Sequence, residues 1–148
     1  MIAIILAFFP LTVPRLMGYE IYEVVSGSME PQIPVGSVIY VKAAEPEEIE
    51  EEDVIAFQRG DSVITHRVVE NRFVEGTFIT KGDANEGEDM TPIPYDSLIG
   101  RVTWHIPVLG SVMSLMAGAM GKFYAAILAA CGVMFHMLAG SMRAAREK

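Results

Sequence analysis

Two long apolar stretches flank a centre in which short apolar and polar runs alternate. Residues 2–13 are uncharged and nearly all apolar; Arg15 interrupts the stretch, and Leu16, Met17 and Gly18 follow. From Val24 to Trp104 the pattern shortens to the period of β-strands. Residues 38–41 form a β-branched and aromatic run. Residues 53–58 and 62–70 read as two strands, and the Arg59-Gly60-Asp61 turn between them makes a hairpin. Phe73-Val74, then Glu75-Gly76, then residues 77–80 suggest a second hairpin, and residues 98–105 a strand that closes the sheet. Thr91-Pro92-Ile93-Pro94 breaks regular structure and marks a loop. Short strands at this spacing predict a mainly β domain, a small barrel or sandwich.

The ends differ in kind from this centre. Residues 106–121 carry no charge and are rich in Met, Gly and Ser; Lys122 follows; residues 123–142 are then continuously apolar, with His136 the one strongly polar side chain. A membrane span needs about 20 apolar residues. Residues 123–142 meet that length and residues 2–13 only approach it. The expected organisation is an N-terminal membrane anchor (1–18), a β-rich catalytic domain (19–105), an interfacial apolar segment (106–122), a C-terminal transmembrane helix (123–142) and a basic tail (143–148). Pro10 and Pro14 can kink the anchor, which membrane helices tolerate. It has neither a basic region ahead of it nor a small-residue cleavage pattern behind it, so it does not read as a removable secretory signal. Arg143, Arg146 and Lys148 assign the C-terminus to the cytoplasm. If both ends span, the β domain is held at the plasma membrane on its extracytoplasmic side.

Composition narrows the chemistry. Of the 148 residues 51% are hydrophobic, and the formal charge of −8 excludes general nucleic-acid binding, which needs a basic footprint. Glu45, Glu47, Glu48, Glu50, Glu51, Glu52 and Asp53 form an acidic run that reads as a solvated face. The single cysteine, Cys131, rules out an intrachain disulfide and a cysteine zinc site. His66, His105 and His136 are too scattered for metal-ligand spacing, so neither metal nor cofactor is expected.

Three short blocks carry candidate chemistry. Ser26-Gly27-Ser28-Met29-Glu30-Pro31 places two hydroxyls on a turn-forming segment ahead of a strand. Acyl transfer needs a nucleophile, a base, a group that orients the base, and donors for the oxyanion. Ser28 is the candidate nucleophile, and Gly27 allows backbone angles that a Cβ forbids. His66, in Thr65-His66-Arg67-Val68, suits the base, because imidazole titrates near neutrality. Asp83 and Asp89 are both candidates for the carboxylate on the other ring nitrogen. The Ser28 backbone N–H and the Ser26 hydroxyl are candidate oxyanion donors. Singly, each motif has a plainer structural meaning: the serines as a loop, His66 alternating with Ile64 and Val68 on a strand face, Asp83 as a turn former.

Together, and in this order, the blocks resemble type I signal peptidases. Residues 26–31 match the nucleophile box of that family, residues 35–41 the strand after it, residues 65–69 the base box, Phe78-Ile79-Thr80-Lys81-Gly82-Asp83-Ala84-Asn85 with Asp89 the acid box, and residues 99–102 the closing strand. The resemblance runs from about Val24 to the C-terminus. Bacterial-type members carry a lysine at the base position. This chain has His66, as in the archaeal and endoplasmic-reticulum branch and a minority of Gram-positive enzymes. Lys42 and Lys81 stand elsewhere. The resemblance implies Ser28 as nucleophile, His66 as general base, Asp89 as third member with Asp83 an alternative or a supporting residue, and Ser26 as oxyanion donor. Met29 and Pro31 are expected against substrate, with Met29 and the anchor facing lipid. The implied enzyme is a membrane-bound serine endopeptidase that removes signal peptides from exported preproteins, small residues standing at −1 and −3. Its partners would be those peptides, the lipid bilayer and an accessory subunit. The resemblance also admits a self-cleaving or dedicated protease of the same superfamily. A non-catalytic membrane-anchored β binding module would explain the strands and anchors, but not serine, histidine and acid in family order.

Overall fold

The structure, a computed structural model, describes residues 10, 12–118, 123, 126–127, 129–134 and 136–137. It divides into two units, Met1–Gly110 and Ser111–Lys148. The first holds seven strands: β1 Tyr19–Glu23, β2 Val38–Lys42, β3 Val54–Arg59, β4 Ser62–Arg72, β5 Thr77–Lys81, β6 Ile93–Pro94 and β7 Leu98–Ile106. They form one antiparallel sheet in the order β1-β2-β7-β3-β4-β5-β6. A mainly β domain is therefore present, as a single sheet in which β1 and β6 are the end strands.

Local sequence explains the central hairpin. Arg59 pairs with Ser62 across a two-residue turn. Gly60 sits at φ +60°, and the tight turns that match strand twist need a positive φ there. Alternation then buries both faces of β3. Ile55 and Phe57 join Ile49, Val68, Phe78 and Ile93 on one side, while Ala56 joins Met29, Ile33, Ile39 and Val41 on the other. β3 is thus a central strand covered on both faces, and the site is built from the strand and loops beside it.

Two sequence expectations are corrected here. Phe73-Val74 is not strand: β4 runs through Arg72, and residues 73–76 form the turn to β5, with both apolar side chains exposed. β1, which precedes the expected start of the β region at Val24, completes the sheet by pairing along β2 from Tyr19↔Lys42 to Glu23↔Val38.

Beyond the sheet, Leu109–Ala117 is helical, within the segment expected to lie along a membrane. Among the described residues no helix is long and apolar enough to cross a membrane. The stretches expected to span, 2–13 and 123–142, lie in large part outside the described residues, and the basic tail 143–148 wholly so.

Candidate active site

Ser28 sits on the loop between β1 and β2. The loop leaves the sheet after Val24, whose N–H donates to Ser37 O (2.8 Å) and whose carbonyl accepts from Gly36 N (2.8 Å). The residue after the serine fixes it in place. Met29 is only 2% exposed and packs in the core with Ile33, Ile39 and Val41, and its carbonyl accepts the Ile33 N–H at 2.8 Å. Ser28 itself remains half-buried and lines a cleft of about 450 Å³ shared with Ser26, Val25 and His66.

Two expectations for this loop change, those for the Gly27 backbone and for Met29 as a lipid-facing side chain. Gly27 keeps an ordinary φ, and a Cβ there would meet only the Glu30 side chain at 3.4 Å, so no forbidden backbone angle is in use. Met29 lines the cleft from the core side and does not face outward to lipid. Pro31 lies on a separate shallow concavity with Gln32, Glu52, Arg67 and Asp83.

His66 lies on β4 opposite Ile55 of β3, with Phe57 edge-on to its ring at 6.2 Å. Its Nδ1 is 2.6 Å from Asp89 Oδ2, and the two side chains are only 8% and 12% exposed. A carboxylate at this distance takes the Nδ1–H and leaves Nε2 as the acceptor. Asp89 is tied back to β5, because its N–H donates to Thr80 O at 2.8 Å and its Oδ2 accepts from Thr80 Oγ1 at 2.6 Å.

The second aspartate takes a different partner. Asp83 accepts a two-point bond from Arg67, Nε to Oδ1 at 2.8 Å and Nη2 to Oδ2 at 2.7 Å, and Arg67 Nη1 reaches Glu52 O at 2.8 Å. Those bonds to Asp83, against an opposing effect of burial, raise the Arg67 pKa, so the guanidinium stays charged. Strand alternation separates the two pairs: neighbours 66 and 67 point to opposite faces of the sheet.

The loop after β5 brings the serine and histidine blocks together. The Ala84 N–H donates to Ser28 O at 2.9 Å. A Cβ at Gly82 would stand 2.7 Å from Ser28 O and 3.1 Å from His66 Nε2, so only glycine allows this approach. Among the described residues no direct Ser28–His66 hydrogen bond forms; in unliganded sites such bonds often tighten only when substrate arrives.

Other sequence candidates lie apart. Lys42 is exposed at the end of β2, and Lys81 pairs with Arg67 across β4–β5. His105 is on β7, and His136 is exposed on a helical stretch whose described residues include 129–134 and 136–137. Cys131 is a half-buried thiol on the same stretch. Among the described residues no group of three His, Cys, Asp or Glu side chains could hold a metal ion.

Three features were not assigned from sequence: the partnership of Thr80 with Asp89, the Arg67–Asp83 clamp, and the strand edge beside the serine. β5 pairs with β4 only from Arg67 onward, so the edge of β4 at Ser62–Thr65 opposite β3 carries no described strand. These residues line the same cleft as Ser28. Tyr22 also lines it, its phenol pushed up to about 12 by burial and by the Glu20 carboxylate to which it donates.

No family model matches the chain. Signal peptidase I W of Bacillus subtilis (strain 168) is 36% identical over 94 residues, 61% of this chain and 50% of that protein. The chain therefore spans half the length of that relative. The signal peptidase complex catalytic subunit SEC11 of Ogataea parapolymorpha is 31% identical over 127 residues, 71% of this chain and 72% of that protein. The corresponding SEC11C subunit of Homo sapiens is 30% identical over 131 residues, 79% of this chain and 68% of that protein.

Proposed function

Since the chain belongs to the signal peptidase I superfamily, a family of serine endopeptidases, we propose that it cleaves N-terminal signal peptides from exported preproteins, using Ser28, His66 and Asp89. The observation that carries this reading is the 2.6 Å His66–Asp89 contact beside a cleft that His66 shares with Ser28.

In this mechanism Ser28 Oγ attacks the scissile carbonyl as His66 Nε2 takes its proton. The Ser28 N–H and the Ser26 hydroxyl receive the developing oxyanion. His66 passes the proton to the departing amine. Water, activated by the same imidazole, then cleaves the acyl ester. Asp89 holds the Nδ1–H and stabilises the imidazolium without itself taking a proton. Asp83 supports the loop through Arg67 and stands outside the relay.

The unpaired β4 edge at Ser62–Thr65 supports a substrate bound as an added strand, with main-chain bonds for affinity and side-chain pockets for choice. Small residues at −1 and −3 suit a cleft walled by Met29, Ile33, Ile39 and Ile64. Placement at a plasma membrane, with the site on the extracytoplasmic side and the C-terminus cytoplasmic, follows the charge asymmetry of the ends. It is supported by exposed Leu16 (86%) ahead of the sheet and Val25 (83%) on the cleft. An accessory subunit accords with relatives named as subunits of a signal peptidase complex. The test is preprotein cleavage in detergent or liposomes by wild type, Ser28→Ala and His66→Ala. Both variants lose cleavage under this reading, and full cleavage by either overturns its assignment.

A further inference from the structure

We propose that Thr80 is a positioning residue for the reaction: its hydroxyl fixes the Asp89 carboxylate, and through it the His66 ring. The inference rests on the triad reading above and extends it by one residue.

Thr80 is fully buried on β5. Its register partner across the ladder is Val68, two residues from His66 and on the same face of β4. The Thr80 side chain therefore points into the layer that holds the imidazole. Its Oγ1 donates to Asp89 Oδ2 at 2.6 Å, and that same oxygen lies 2.6 Å from His66 Nδ1. The Thr80 carbonyl also accepts the Asp89 N–H at 2.8 Å. Asp89 comes from a loop with no regular structure, and this residue of β5 holds it at two points. The Thr80 hydroxyl donates to the carboxylate without bringing a charge. Hydrogen bonds to an ionised acceptor are short and strong, and they favour the charged form. Thr80 is thus the second donor on Asp89 Oδ2, beside His66, and it holds that oxygen in place for the Nδ1–H.

Thr80→Val keeps the shape and removes the donor. It is expected to lower kcat about tenfold, with KM for a signal-sequence peptide unchanged, because substrate does not touch Thr80. Thr80→Ser restores the donor and returns kcat to within about threefold of wild type. In an Asp89→Asn background Thr80→Val costs nothing further, since residues that act as one unit are not additive.

The experiment is kcat and KM for these variants with Ser28→Ala alongside, each checked for folding by thermal melting. Should the valine variant fail to fold, Thr80→Ala takes its place in every comparison. Equal kcat for wild type and the valine variant overturns the inference. So does an equal loss with and without Asp89, or a serine variant no better than valine, since either marks a packing role. Activity in Ser28→Ala overturns the triad reading instead, so the two failures are told apart.

Discussion

Gly82→Ala tests the closest approach in the site. The added Cβ would lie 2.7 Å from Ser28 O and from Asn85 Nδ2, and 3.1 Å from His66 Nε2, where ordinary contact begins near 3.4 Å. The Asn85 side chain can swing away. The Ser28 carbonyl cannot, because it is backbone and is held by the Ala84 N–H at 2.9 Å. Relief therefore moves the nucleophile loop away from the acid loop by about 0.7 Å. A displacement near 1 Å in a catalytic constellation costs roughly 100-fold in rate, so kcat is expected to fall about 10- to 100-fold. Overpacking of this size costs about 1–3 kcal/mol of stability, which leaves most of the protein folded. The assay is kcat on a peptide that spans a cleavage site, in detergent micelles, with a thermal melt on each sample. Gly87→Ala is the control, because a Cβ there meets nothing within 4 Å. Wild-type kcat in a folded Gly82→Ala protein would refute the reasoning, and so would an equal loss in the control.

Asp89→Asn is expected to lower kcat by roughly 10³- to 10⁴-fold, as loss of the orienting carboxylate does in a serine triad. Asp83→Asn weakens the Arg67 clamp, lowers the melting temperature and costs less activity; steady-state kinetics with calorimetry would show the reverse order if the roles were exchanged. Cleavage is expected to fall on the acid side, where a protonated imidazole cannot accept the Ser28 proton, and a rate that does not fall there would remove His66 as base. Phe57→Ala, at a fully buried position between β7 and β4, should cost about 3–5 kcal/mol by denaturant titration, and a change below 1 kcal/mol would contradict the packing described.

The parts of the fold visible in the sequence are those set by local chemistry. Gly60 forces the β3–β4 turn, and the unbroken apolar run at residues 38–41 marks a strand buried on both faces. Phe73 and Val74 misled because apolar character stood in for burial; both side chains are exposed at a turn closed by Gly76 at φ +66°. β1 escaped notice because Tyr19-Glu20-Ile21-Tyr22-Glu23 owes its strand conformation to pairing with β2, a contact that local sequence does not carry.

At the site, serine, histidine and the two acids were legible as residue types in order. Their pairing was left open by the residues alone, and only the family resemblance favoured Asp89 over Asp83. His66 and Arg67 are neighbours in sequence that face opposite ways, and the side-chain bonds show which aspartate each reaches, Asp89 for His66 and Asp83 for Arg67. Thr80 and Gly82 were hidden because their roles are spatial: one bonds Asp89 on the loop after β5, the other leaves space that a side chain would fill. Met29 is packed in the core while lining the Ser28 cleft, and Pro31 lies beside the Arg67–Asp83 clamp, placements that residue type alone does not carry.

The central claim is that Ser28 is the nucleophile of a signal-peptide-cleaving enzyme. Its most direct test is cleavage of a labelled preprotein by wild-type and Ser28→Ala protein reconstituted in liposomes. The account predicts release of the mature chain by wild type and an intact preprotein with the variant. Cleavage by Ser28→Ala at the wild-type rate would contradict it.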